Sequence, residues 1–168
     1  MRLPLLLAAL LASAPLAASE PKLDPHFEPI AYLVGHCWKA PFPNGKLHDV
    51  QCFQSLYDGK LIDNHHRVEG SDPLYQGKSV FSWDEANKRI RFHYFTSTGA
   101  VSEGYFVAGK DGMAIPERHV GNDGKVTELD HTFRRDGDDA YRVVTREKTD
   151  KGWVERMNLR YVRIDEAP

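Results

Sequence analysis

From Arg89 to Thr98 hydrophobic and polar positions alternate one for one, with Ile90, Phe92, Tyr94 and Thr96 in one row and Arg89, Arg91 and His93 in the other. A period of two marks a half-buried strand, because successive side chains point to opposite faces. Three further stretches read the same way. Ile62, Asn64, His66 and Val68 oppose Leu61, Asp63, His65 and Arg67, and Leu129, His131 and Phe133 form the apolar-biased row of 125–135. On the last stretch Trp153, Glu155, Met157, Leu159 and Tyr161 oppose Arg156, Asn158 and Arg160. In each case the first-named row is expected to face inward.

Between such stretches stand Asn44-Gly45, Asp58-Gly59, Thr98-Gly99, Asp111-Gly112, Asp123-Gly124, Asp136-Gly137 and Lys151-Gly152. Asn-Gly and Asp-Gly suit two-residue hairpin turns, whose central residues need positive φ. The pattern predicts strands over 36–41, 47–57, 60–69, 75–83, 89–98, 101–109, 112–120, 125–135, 140–149 and 153–163. The expected fold is all-β: an up-and-down antiparallel β-barrel of about ten strands, closed so that no long edge is left unpaired. Only 24–33 carries a helical pattern, with Phe27, Ile30, Ala31 and Leu33 or Val34 at helical spacing and Pro29 limiting it to a turn or two. It is expected to lie as a short lid on the barrel.

Arg2 followed by the Leu- and Ala-rich run to Leu16, ending in small residues, reads as a secretory signal peptide over 1–19. Cleavage after Ser19 would leave a single domain over 20–168 and place it in the periplasm or outside the cell. Lys and Arg number 22 against 24 Asp and Glu, with neither sign gathered into a block. That balance gives no electrostatic footprint for nucleic acid or for an anionic membrane.

Cys37 and Cys52 are the two cysteines. Export to an oxidising compartment favours a disulfide between them, the other reading being two thiols packed as small hydrophobes. A turn at Asn44-Gly45 sets them opposite each other. Counting from a simple two-residue turn puts them in a hydrogen-bonded pair, although Pro41 and Pro43 are expected to disturb the ladder.

At Leu33-Val34-Gly35-His36-Cys37-Trp38 the chain resembles the calycin superfamily, in which a helical turn precedes a Gly-x-Trp on the first strand; the spacing here is one residue longer, which implies a bulge. Asp58-Gly59-Lys60 and Trp83 to Arg89 extend the likeness to lipocalin-like bacterial periplasmic proteins and nitrobindin-like barrels. The resemblance implies a barrel with a lumen, and a structural pair in which Arg163 or Arg160 closes over Trp38. Nitrobindin-like barrels hold haem through a His late in the chain. No His follows His131, so that ligand is not carried over and no cofactor is expected.

No nucleophile elbow, glycine-rich phosphate loop or metal-ligand spacing is present, which removes the commonest hydrolase and nucleotide readings. The eight histidines are scattered, and His65 and His66, being adjacent on a strand, point to opposite faces. No metal site is expected. Glu117, His119, Tyr94, Tyr161 and Glu155 are the groups able to act as general acid or base if they share the lumen. Polar residues on inward rows would be costly in a dry core, so a wetted or ligand-bearing lumen is expected. Asn64, His66, Tyr94 and His131 are the candidate ligand-binding residues. The functional expectation is a carrier or sensor of one small apolar or amphipathic molecule, and the alternative is a small barrel enzyme using a lumenal His or Glu.

Overall fold

A computed structural model describes residues 23–168. The signal-peptide reading of 1–19 lies outside these described residues. Eleven strands form one antiparallel sheet: β1 His36–Pro41, β2 His48–Leu56, β3 Leu61–Glu69, β4 Tyr75–Asp84, β5 Arg89–Thr96, β6 Val101–Tyr105, β7 Val107–Gly109, β8 Gly112–Val120, β9 Val126–Arg135, β10 Ala140–Thr149 and β11 Gly152–Ile164. β1 pairs with β11, and β6 pairs with β8 from Val101↔Val120 to Gly104↔Glu117. Those two ladders close a ten-strand barrel, with β7 left as an extra strand on β8.

The extra strand corrects the expected 101–109 segment, which breaks at Phe106. Its N–H donates to Ile90 O at 2.8 Å while its side chain joins the buried core. Among the described residues no helix is long and apolar enough to cross a membrane.

The helical segment is a 3-10 helix over Pro25–Leu33, capped by Asp24, whose side chain accepts from His26 N. Its three-residue period stacks Phe27, Ile30 and Leu33 on one line, and all three are buried. They plug one end of the barrel. The segment is tied down by Asp24 N donating to Gly59 O at 3.0 Å, by the Lys60–Asp24 ion pair and by His26 stacked on Trp83 at 4.1 Å.

Behind this plug the barrel is solid. Phe53, Phe81, Phe92, Phe106, Phe133, Tyr141 and Tyr161 form a connected chain of ring contacts at 4.6–6.3 Å. Trp38 is fully buried among them, with Tyr141 edge-on at 5.2 Å, and its Nε1–H donates to Leu33 O at 3.2 Å.

The longer Gly-x-x-Trp spacing has a local cause. Gly35, at φ +82°, donates its N–H to Phe53 O, and His36 is the register partner of the same Phe53. Two residues thus oppose one, the arrangement of a bulge opened by glycine. Arg163 is Trp38's register partner on β11, but its guanidinium is engaged with Asp139 and sits 3.5 Å from His36 Nε2. Arg160 pairs with Asp136. The cations seated over rings among the described residues are Arg89 on Tyr105 and Arg135 on Tyr32.

Cys37 and Cys52 are bonded to each other, with Cα atoms 4.0 Å apart. Phe42 N donates to Leu47 O, which moves the ladder frame one residue from that of a two-residue turn. The cysteines therefore occupy the closer, non-hydrogen-bonded kind of pair, not the hydrogen-bonded one. They sit on the outer face with Val50 and Ile164, opposite in sense to Trp38.

Candidate functional site

Toward the end of the barrel away from the helix the inward rows turn polar. Gln51, opposite Trp38, brings Asp49 and Phe53 to the inner face of β2. β3 contributes Asn64 and His66, β4 Tyr75 and Ser79, and β5 Tyr94. The remaining wall supplies Ser102, Glu117, His119, His131 and Thr145. The structure thus places all four sequence candidates, Asn64, His66, Tyr94 and His131, on the inner wall.

Two hydrogen-bonded groups form there. In the first, His66 Nδ1 shares a 2.6 Å bond with Tyr94 Oη, which donates onward to Tyr75 Oη at 3.2 Å. His66 Nε2 makes an ion-pair contact with Asp49 Oδ1 that is off the hydrogen-bond axis, so this buried oxygen lacks an aligned donor. Asp49 Oδ2 accepts from Tyr161 Oη and from Gln51 Nε2. Burial, with Asp49 nearby, drives the Tyr161 hydroxyl far above the ordinary tyrosine range. Burial does the same to Tyr94, aided by Tyr75, and both remain protonated donors at neutral pH.

In the second group His131 Nε2 lies 2.9 Å from Glu117 Oε2 and His131 Nδ1 lies 2.9 Å from Thr145 Oγ1. Ser102 Oγ lies 2.9 Å from His119 Nδ1 and also hydrogen-bonds Glu117. Burial acts to raise the Glu117 pKa, but the His131 hydrogen bond and charge, with Ser102 and His119, outweigh it and hold the carboxyl below 4.5. Glu117 is therefore an anion at neutral pH. His131 answers a carboxylate and a hydroxyl and His119 a hydroxyl, so the arrangement suits proton exchange or hydrogen bonding. The grouping of three potential metal donors found among the described residues is Cys37, Cys52 and Glu166, and its two sulfurs are already bonded to each other.

Asn64 is only 4% exposed, and its Nδ2 has no hydrogen-bond partner. By contrast, the inward side chains of His66, Glu117 and His131 remain 15%, 12% and 15% exposed, so solvent reaches this half of the lumen. Met157, inward and opposite Thr145, is 37% exposed and widens the same opening.

Of the site features that were not among the sequence candidates, three bear on its geometry. Asp49 and Gln51 lie on a strand whose two rows are both largely buried, so alternation is silent there. Carrying Trp38's inward face across the hairpin register would have found them. Gly77 is the third. A Cβ at that position would stand 2.4 Å from Tyr94 Cε2, so the missing side chain is what lets the Tyr94 ring lie across β4. Two residues expected to face inward, Trp153 and Glu155, are corrected: the register of β10 with β11 jumps from Thr145↔Met157 to Arg146↔Glu155. The resulting bulge at Arg156 turns Glu155 and Trp153 to the outer row and Val154 to the inner one.

Compared with known proteins, the chain matches no family model, and no curated protein is significantly similar to it.

Proposed function

We propose that this is an exported, lipocalin-like barrel that holds one small amphipathic molecule in the half of its lumen away from the helix. The observation that carries the reading is the Asn64 amide nitrogen, aimed inward, shut away from bulk water and without a partner. An unmade hydrogen bond of this kind costs about 1–3 kcal/mol, and an acceptor on a bound molecule would remove that cost. His66, Tyr94 and His131 supply further polar contacts, and the partly exposed Met157 offers an apolar wall. A few placed polar groups beside apolar surface is the usual composition of a small-molecule site. The aromatic packing behind Phe92 and Phe133 confines the ligand to a short body. The disulfide supports an oxidising compartment.

Native mass spectrometry of protein purified without denaturation tests this, together with NMR of the lumenal histidines during titration with 1-hexanol as an amphipathic probe. A retained molecule, or probe-dependent shifts of His66 and His131 that disappear in Asn64→Leu, is the expected result. An empty protein whose histidines ignore the probe overturns it.

A second reading, a small barrel enzyme, is favoured by the chain Thr145, His131, Glu117, Ser102, His119, in which each member bonds the next. Such a chain can move a proton between an ionised carboxylate and a bound substrate. Turnover that collapses in Glu117→Gln while ligand retention persists would select it over the carrier.

A further inference from the structure

A hollow lies at the helix end of the barrel, between the 3-10 helix and the β8–β9 wall. It has a volume of about 410 Å³, within the range of small-molecule sites. Its floor is apolar: Phe133 from β9 and Met113 from β8, with Pro29 of the helix on the facing side. Met113 carries an adaptable thioether, which packs well against aromatic ring edges. The remaining wall is Tyr32, with the Arg135 guanidinium seated 4.8 Å above its ring centre.

Two details distinguish this hollow from a simple packing gap. Tyr32 Oη is closed off from solvent yet has no hydrogen-bond partner. Arg135 is held in place from outside the hollow: its Nε donates to Gly137 O at 2.9 Å and one terminal nitrogen to Asp138 Oδ1 at 2.8 Å. Its other N–H groups remain for a second acceptor, since a guanidinium carries five donors in a fixed fork. Glu28 at the rim is exposed, and Asp138 is 92% exposed, so solvent screens both acidic groups.

We propose that this closed-end hollow is a binding site for a planar aromatic carboxylate, distinct from the lumenal site. The ring would lie on Phe133 and Met113 beside the Tyr32 ring, with the carboxylate accepting hydrogen bonds from the free N–H groups of Arg135 and from the Tyr32 hydroxyl. The helix is then part of a site and not merely a plug. The proposal does not depend on the lumen being occupied.

The test uses 2-naphthoate as the probe, with binding followed by calorimetry and by NMR of the Met113 methyl group in the full chain. Saturable binding that shifts Met113 is expected. Arg135→Gln, at a side chain half exposed in the free protein, should weaken binding about tenfold or more by removing a charge-assisted hydrogen bond. Tyr32→Phe should weaken it about threefold to tenfold. Asn64→Leu should leave it unchanged, which separates this site from the lumen. Naphthalene-2-methanol, the uncharged relative, should bind at least about tenfold more weakly. Absence of a Met113 shift, equal binding of the uncharged relative, or full affinity in Arg135→Gln would each overturn the proposal, whatever becomes of the lumenal ligand.

Discussion

Replacing Trp38 by Ala probes the joint between helix and barrel. The indole is fully buried, meets Tyr32, His36 and Tyr141 edge-on at 5.2–6.3 Å, and donates its N–H to the carbonyl of Leu33 at the end of the helix. Deleting a buried aromatic side chain costs about 3–5 kcal/mol through lost transfer energy and the cavity left behind. Loss of the Leu33 contact adds to this, because a buried carbonyl without its donor is itself costly. The upper part of the range is therefore expected. For a chain of this length each kcal/mol moves the melting temperature by about 2–4 °C, so about 4–5 kcal/mol gives a fall of about 8–20 °C. Urea denaturation followed by circular dichroism should show a lower midpoint at an unchanged slope, the mark of altered stability without altered compactness. Trp38→Phe keeps a ring and loses the N–H, so it should fall between Ala and wild type. A melting temperature for Trp38→Ala within about 2 °C of wild type would refute the packing argument.

Replacing both Cys37 and Cys52 by Ala opens a loop of sequence separation 15 and should cost about 3 kcal/mol, read as a lower urea midpoint that added reductant does not change further. Glu117 has a folded-state pKa below its ordinary value of 4.5, so its stabilising contribution is complete above pH 4.5 and is lost as pH falls through the folded value. Urea midpoints measured from neutral pH downward should show wild type and Glu117→Gln converging below pH 4.5, and a constant gap across that window would count against the His131–Glu117 pairing. Gly77→Ala sets a Cβ 2.4 Å from the Tyr94 ring and 2.7 Å from Phe95 O. The variant should lose about 1–3 kcal/mol by overpacking and should shift the Tyr94 ring and His66 imidazole resonances. Unmoved resonances would mean that the ring does not lie over Gly77.

How much of this was legible beforehand differs from strand to strand. The inward rows of β3, β5 and β9 follow from alternation alone, because a pleated strand with one buried face must put every second side chain there. The opposition of Cys37 and Cys52 is likewise set by a local hairpin. Alternation failed on β11, where one extra residue at Arg156 inverts the remaining row. A bulge is a property of two paired strands and leaves no mark in the period of one. The helix was read with the wrong period for a related reason. Phe27, Ile30 and Leu33 fit spacings of three as well as they fit an α-helical stripe, and docking on the barrel end selects between them.

The amino-acid sequence by itself determined the class of fold, the turn positions and the presence of isolated polar residues on inward rows. Those are local properties, carried by the period of two and by residues suited to positive φ. The division of the lumen into an aromatic half and a polar half was decided by closure of the sheet and by the end on which the helix lies. Only closure brings Asp49 of β2 against Tyr161 of β11, and Ser102 of β6 against His119 of β8, as partners. A hydroxyl and its carboxylate or imidazole partner interact according to distance and burial, and for these pairs both are fixed when distant strands complete the barrel.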